Sequence, residues 1–175
     1  MFMDIRGYSR FAEHKSPAEI IEFQNNFFNP IITVINEADG IVNQILGDGL
    51  MATFGAPISV EHHAQKAYDC ALAIFDIIDG QIKEKRIPVT KIGVGINTGE
   101  VVMGNIGNEL RKQFSISGHT VNIAARIEQA NKEFECEFLL SKSTYHQIKK
   151  DPHITSIGHI KMKNISEKVE VFKVK

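Results

Sequence analysis

Cysteine is scarce in this chain, neither sign of charge is in marked excess, and no apolar run is long. Only Cys70 and Cys136 occur, both inside apolar periodic segments, so the pair reads as two small core residues in a reducing compartment better than as a disulfide framework. No apolar stretch approaches the roughly 20 residues a membrane span needs, and Met1 leads straight into a strand with no basic leader or cleavage site. The expectation is a soluble, cytoplasmic piece without a membrane segment. Against 21 Asp and Glu stand 20 Lys and Arg, a formal net charge of −1. No overall field therefore draws nucleic acid or anionic lipid, and any anionic ligand is held by local groups. Repeats, low-complexity runs and linkers are absent as well.

What remains is ordinary globular composition, 43% hydrophobic and 23% charged over 175 residues, enough for one well-buried core and cramped for two. One domain over residues 1–175 is expected. A strand of about four residues before Ile5 is shorter than the usual five or six, which reads as the truncated first strand of a longer protein.

Along the chain, "SPAEIIEFQNNFF" carries a full helix start: Ser16 as N-cap, Pro17 at the first helical position, Glu19 reaching back. Ile20, Phe23, Phe27, Ile31 and Val34 continue its apolar stripe past a kink at Pro30, and Gly40 ends it. "IVNQIL", "GDG" and "LMATFG" read as a hairpin in which Gly47 and Gly49 supply backbone freedom and Asp48 sits at the tip. A second long helix covers "VEHHAQKAYDCALAIFDIIDGQIK", with Ala67, Cys70, Ala71, Ile74 and Ile78 at helical period. "TKIGVGINTGEVVMGNIG" reads as a second hairpin turning near Thr98 and Gly99. "QFSIS" is a short strand, "HTVNIAARIEQA" a helix opening after Gly118, "CEFLLS" a strand, "KSTYHQIKK" a helix capped by Ser141, and "HIKMK" and "VEVFKV" a closing strand pair. This order predicts an α+β domain whose mixed, mainly antiparallel sheet is covered by helices, with a palm-like, ferredoxin-related opening.

Asp4 ends one predicted strand and Asp48 tips a hairpin. Were the hairpin to pair beside that strand, the two carboxylates would meet at one edge of the sheet and raise each other's pKa unless a cation lay between them. Oxygen ligands without His or Cys favour Mg²⁺ or Mn²⁺ completed by water and substrate phosphate. Gly7, Tyr8 and Ser9 follow, with backbone N–H groups at a helix start suited to phosphate. Read alone, Asp48 is equally an ordinary turn residue and Asp4 a cap. Asn122 and Arg126, four apart on one helix face, suit a ribose oxygen and a phosphate oxygen, or simply a solvated face.

Taken together, "FMDIRGYSRF", "GIVNQILGDGLMATFGAP", "VGINTGEVVMGNIG", "ISGHTVNIAARIE" and "MKNISEKVEVFKV" occur in the order and spacing of class III nucleotidyl cyclases, the adenylate and guanylate cyclase catalytic domain. The resemblance runs from Phe2 to Val174 and is strongest to bacterial members. It implies that Asp4 and Asp48, with the Ile5 carbonyl, bind two divalent cations, Mg²⁺ or Mn²⁺, and that Gly7, Tyr8 and Ser9 wrap the β- and γ-phosphates. The ribose 3′-hydroxyl attacks the α-phosphorus and expels pyrophosphate. Asn122 positions the ribose and Arg126 stabilises the transition state, both arriving from the partner of a head-to-tail homodimer. Lys163 and Arg111 contact the triphosphate, although Asn164 stands where the family usually has Gly after the lysine.

The purine is read at the positions of Gln44 and Ser115. Family members with Lys at the first make cyclic AMP and those with Glu make cyclic GMP, whereas the Gln44 amide both donates and accepts. At the second position adenylate cyclases commonly have Asp or Thr and guanylate cyclases Cys or another small residue; Ser115 resembles Thr in carrying one hydroxyl. ATP is the expected substrate, with a guanylate cyclase or a catalytically silent module of the same fold as the alternatives. His119 replaces a common Asp or Asn and is expected to cap the helix or face an interface. Regulatory modules of such domains lie upstream and are expected outside these residues.

Overall fold

A computed structural model of the chain describes residues 1–163 and 165–175. Strand β1 (Phe2–Ile5) leads into the one-turn-and-a-half helix α1 (Tyr8–Ala12), and α2 (Pro17–Glu37) then starts where its capping box places it. The Glu19 amide donates to Ser16 Oγ (3.3 Å), the Ser16 amide donates to Glu19 Oε2 (2.9 Å), and Pro17 occupies the first turn. Phe23, Phe27, Ile31 and Ile35 are its buried stripe. Pro30 carries no N–H and so leaves the Asn26 carbonyl without its helical donor. Gln81 on α3 (His63–Lys83) supplies the missing bond at 2.9 Å, which couples the two long helices.

The predicted first hairpin is present as β2 (Gly40–Ile45) and β3 (Gly49–Phe54), with a bulge at Asn43. Gly47 takes the left-handed turn conformation at φ 71°. Gly49 does not serve the turn: it lies inside β3 opposite Asp4, where a Cβ would fall 2.4 Å from the Met3 carbonyl oxygen.

The second expected hairpin does not form. Strand β4 (Ile92–Ile96) pairs with β1 and with β7 (Phe138–Ser141), while β5 (Val102–Gly107) pairs with β6 (Lys112–Ser117) in a separate two-stranded ribbon. All five residues of β4 are buried, so it is a central strand covered on both faces. Asn97 instead holds the start of α4 (His119–Glu133), its side-chain amide donating to the Thr120 carbonyl at 2.9 Å. Three helices differ in length from expectation, α4 running on to Glu133 rather than ending at Ala130. Helix α3 begins at His63 rather than Val60, and α5 (Lys142–Tyr145) is one turn behind the predicted Ser141 cap rather than nine residues. Strands β8 (Ile154–Lys161) and β9 (Lys168–Val174) complete the chain.

The seven-stranded sheet runs β2-β3-β1-β4-β7-β9-β8, antiparallel except for β4 with β7. Its first four strands with α2 and α3 have the ferredoxin-like βαββαβ layout. Side-chain alternation sorts the two layers. Met1, Met3, Ile5, Phe138 and Leu140 face α2 and α3, whereas Leu139 and Val171 face Ile127 and Ala130 of α4. Fully burying side chains such as Phe27, Ile31 and Ile74 stabilises by roughly 1.5–3 kcal/mol each. Cys70 and Cys136 are both free and buried, as their settings suggested. Among the described residues, no helix is long and apolar enough to cross a membrane.

Candidate active site

Strand β1 passes through the middle of the sheet, so Asp4 and Asp48 meet at the end of the strands and not at a lateral sheet edge. The Ile5 amide donates to the Asp48 carbonyl at 2.9 Å, which seats the hairpin tip on the end of β1. Gln24 of α2 donates to the Gly47 carbonyl at 2.9 Å and holds the tip from the other side. Asp4 itself is flanked by glycine on both neighbouring strands, Gly49 on β3 and Gly93 on β4. Burial, and after it the Asp48 charge, push the Asp4 carboxyl above its usual pKa, while Lys132 and Arg6 pull the other way.

Gly7, at φ 72°, turns the chain out of β1 and serves as N-cap of α1. The amides of Tyr8 and Ser9 fall in the first helical turn, where the helix itself offers no acceptor. Burial and then the Asp48 charge raise the Tyr8 phenol above its usual pKa. Acids, turn and helix start are thus one cluster. No group of three or more His, Cys, Asp or Glu forms a ready-made metal cage among the described residues. Two carboxylates and a strand-end carbonyl nevertheless suit Mg²⁺ or Mn²⁺, which bind through one or two carboxylates and keep positions for water and phosphate.

Asn122 and Arg126 lie on α4 and do not touch this cluster. Asn122 is exposed, and Arg126 Nη1 donates to Gln129 Oε1 at 2.6 Å. The α4 residues that do reach the acids are ones the sequence reading passed over. Lys132 Nζ lies 3.3 Å from Asp4 Oδ2, and Glu128 reaches Asp4 through Arg6. Burial pushes the Glu128 carboxyl up to about 7 against the opposing pull of Arg6 and Lys132. Their only sequence signal was the four-residue spacing of Glu128 and Lys132 on one helix face.

The remaining predicted residues are dispersed. Gln44 is exposed on β2 opposite Met51, and Ser115 sits on the ribbon opposite Gly104. Arg111 is exposed in the ribbon's turn, which Asn108 closes by accepting from the Leu110 and Arg111 amides. Lys163 is exposed just beyond β8, and Asn164 lies outside the described residues. His119 does not cap α4: the N-cap is Gly118, and no side chain bonds there. A cleft of about 430 Å³ opens between Phe2, Met51, Thr98, Thr120, Val121 and Ala124, at the far end of β1 from Asp4.

A family model described as the adenylate and guanylate cyclase catalytic domain matches residues 1–175. Adenylate cyclase 1 of Rhizobium meliloti (strain 1021) is 30% identical over 99% of this chain and 27% of its own length. Adenylate cyclase of Anabaena cylindrica is 32% identical over 100% of the chain and 36% of its own length. The chain thus spans about a third or less of these two curated relatives. Among solved structures, the adenylyl cyclase CyaB from P. aeruginosa superposes with a TM-score of 0.86 at 28% identity, covering 99% of this chain and 91% of that one. The guanylyl cyclase Cya2 does so with 0.85 at 28%, covering 99% and 88%. With the family model matched from end to end and two relatives at 30% identity or above, the chain belongs to the adenylate and guanylate cyclase catalytic domain family.

Proposed function

We propose that the domain is an adenylate cyclase that converts ATP to 3′,5′-cyclic AMP and pyrophosphate at sites shared between two copies of the chain. The observation that carries this reading is the convergence of Asp4 and Asp48 beside the open amides of α1, with Asn122 and Arg126 held apart from them. At 3.6 residues per turn, positions 122 and 126 point roughly 120° away from positions 128 and 132 around α4. Glu128 and Lys132 face the chain's own Asp4. A second protomer is then needed to bring Asn122 and Arg126 to these acids.

Each group has a task its chemistry fits. Asp4, Asp48 and the Ile5 carbonyl would hold two divalent cations, which would lower the pKa of the ribose 3′-hydroxyl and neutralise triphosphate charge. Gly7, Tyr8 and Ser9 bind β- and γ-phosphate oxygens through backbone N–H groups. Arg126 meets charge on the α-phosphoryl group in the manner of an arginine finger, whose loss costs about 10³–10⁵ in rate. Asn122 orients the ribose, Lys163 and Arg111 reach the triphosphate, and Gln44 and Ser115 bind the purine. ATP is favoured because the two curated relatives described above are named adenylate cyclases. The test is to incubate purified protein with Mn²⁺ and either ATP or GTP. Cyclic AMP is expected, cyclic GMP alone would reverse the base assignment, and no cyclic product would overturn the reading.

A further inference from the structure

We propose that Arg6 is a positioning residue that links the two halves of the catalytic equipment within one protomer, Asp4 on β1 and the helix α4 that bears Asn122 and Arg126. This rests on the shared-site reading above. Arg6 lies two residues beyond Asp4, and its guanidinium occupies the place a side chain at Gly93 would take. A Cβ there would fall 1.6 Å from Nη2. From this floor Nη2 donates to the Glu128 carbonyl at 3.4 Å, and Nη1 stands 3.0 Å from the Glu128 carboxylate and 3.7 Å from that of Asp4.

The ionic contact between Nη1 and Glu128 Oε1 lacks hydrogen-bond alignment. The orientation of the fork is therefore set by the Gly93 floor and the Glu128 carbonyl. Both side chains are largely withdrawn from water, 17% and 9% exposed, which makes this contact stiffer than the solvent-facing pair of Lys132, 61% exposed, with Asp4. Helix α4 is lodged equally closely next door, since a Cβ on Gly95 would fall 2.3 Å from the Glu128 amide nitrogen. A planar, five-donor fork meets two carboxylates and a carbonyl at once; a lysine's point charge does not. In a head-to-tail dimer Asp4 serves one site and α4 serves the other, so one guanidinium touches the supports of both.

Mixed dimers separate the two roles. A D4N chain and an R126A chain are each silent alone, and together they form one live site from the Asp4 of the second and the α4 of the first. Recovery of activity on mixing tests the shared site. Into this pair R6M/E128Q, which removes both charges so that neither is left buried alone, or G93A, which displaces the guanidinium, is introduced on one chain at a time. We expect kcat to fall on the order of 10- to 100-fold whichever chain carries the change, with KM little altered and with R6K failing to restore it. Mn²⁺ binding by R6M/E128Q on the chain that keeps Asp4, read from the electron paramagnetic resonance of the free ion, is expected not to weaken, because the charge lost nearest Asp4 is positive. Loss from one chain only, no loss from either, or weakened Mn²⁺ binding together with a collapsed melting temperature overturns the proposal. If mixing restores nothing, the shared-site reading itself fails, and the proposal falls with it.

Discussion

Replacing Gly49 by alanine tests whether the acid pair is held by close strand packing. The new Cβ would lie 2.4 Å from the Met3 carbonyl oxygen and 3.4 Å from both Cα and Oδ1 of Asp4. The nearest atom is backbone, so no side-chain rotation relieves it. Strand β1 cannot retreat either, because β4 pairs along its other side and the Met3 side chain is buried under α2 and α3. Overpacking of this kind costs about 1–3 kcal/mol. At roughly 2–4 °C per kcal/mol for a chain of this size, the melting temperature should fall by about 2–12 °C. The relief is a separation of β3 from β1 at the residue pair that carries Asp4 and adjoins Asp48. A misplacement of about 1 Å there is expected to cost on the order of 10²-fold in kcat. Both quantities are readable, by calorimetry and by cyclic nucleotide production well below the melting transition. Gly47→Ala is the control: its φ of 71° is strained for alanine, but nothing lies within 4 Å of the added methyl. It should lose about 1–2 kcal/mol of stability and keep its activity. If Gly49→Ala melts and turns over like the unaltered protein, the close contact between β1 and β3 is not what aligns the acids.

Gln81→Leu removes the donor that serves the carbonyl freed by Pro30 and should cost about 0.5–1.5 kcal/mol in urea unfolding; adding Pro30→Ala restores a helical N–H and should recover most of it, and additivity of the two changes would refute the link. Tyr68→Phe removes the 2.6 Å bond from the phenol to Asp151, the largest cause of that carboxyl's lowered pKa ahead of the His153 amide. A depressed carboxyl stabilises above its unfolded value and loses the effect as pH falls through the folded one. The gap in urea midpoint between Tyr68→Phe and the unaltered protein should therefore be full near neutrality and shrink below roughly pH 4; a gap independent of pH would count against it. If each site draws on two chains, the rate of cyclic nucleotide production should rise with the square of protein concentration at high dilution and linearly above the dimer's dissociation constant. Strict proportionality throughout the dilution series would argue against a weak dimer.

The elements legible in the sequence are those whose partners lie close along the chain. The Ser16–Glu19 capping box, the hairpin around Asp48 and the helical stripe of α3 each declare themselves within a few residues. The segment after Lys91 misleads for the opposite reason. Thr98 and Gly99 look like a turn between two apolar runs, yet β4 finds its neighbours in β1 and β7, and β5 finds its own in β6. Strands buried on both faces carry no alternation that names their neighbours. Gly49 was legible as a glycine but not for its reason, since the carbonyl that excludes a side chain belongs to Met3, 46 residues earlier by number. The contact of Arg6 with Glu128 spans 122 residues and rests on a space left by Gly93. No local pattern announces it.

The ribbon of β5 and β6 shows what one chain leaves unfinished. Register places Val102, Gly104 and Ile106 on one face with Ser117, Ser115 and Gln113 across from them. Val102 and Ile106 are 74% and 61% exposed, whereas Ile116 on the opposite face is buried against the body of the domain. A two-stranded ribbon is marginal alone and depends on what packs against it. Its own chain covers Ile116 and leaves Phe114, on the same face, half exposed. The face exposed at Val102 and Ile106 also carries the half-buried Ser115, with Gly104 opposite leaving backbone in place of a side chain. On the shared-site reading, this face is completed by the other copy of the chain, and the residue proposed to meet the purine sits in its middle. Apolar side chains with a few hydrogen-bonding groups between them, here Val102 and Ile106 with Ser115, Ser117 and Gln113, are what a base requires, since a stacked ring gains from water exclusion and needs few directed bonds to fix its orientation. The exposed side chains of the ribbon are then part of the same site as Asp4, seen from the protomer that lends its helix and not its acids.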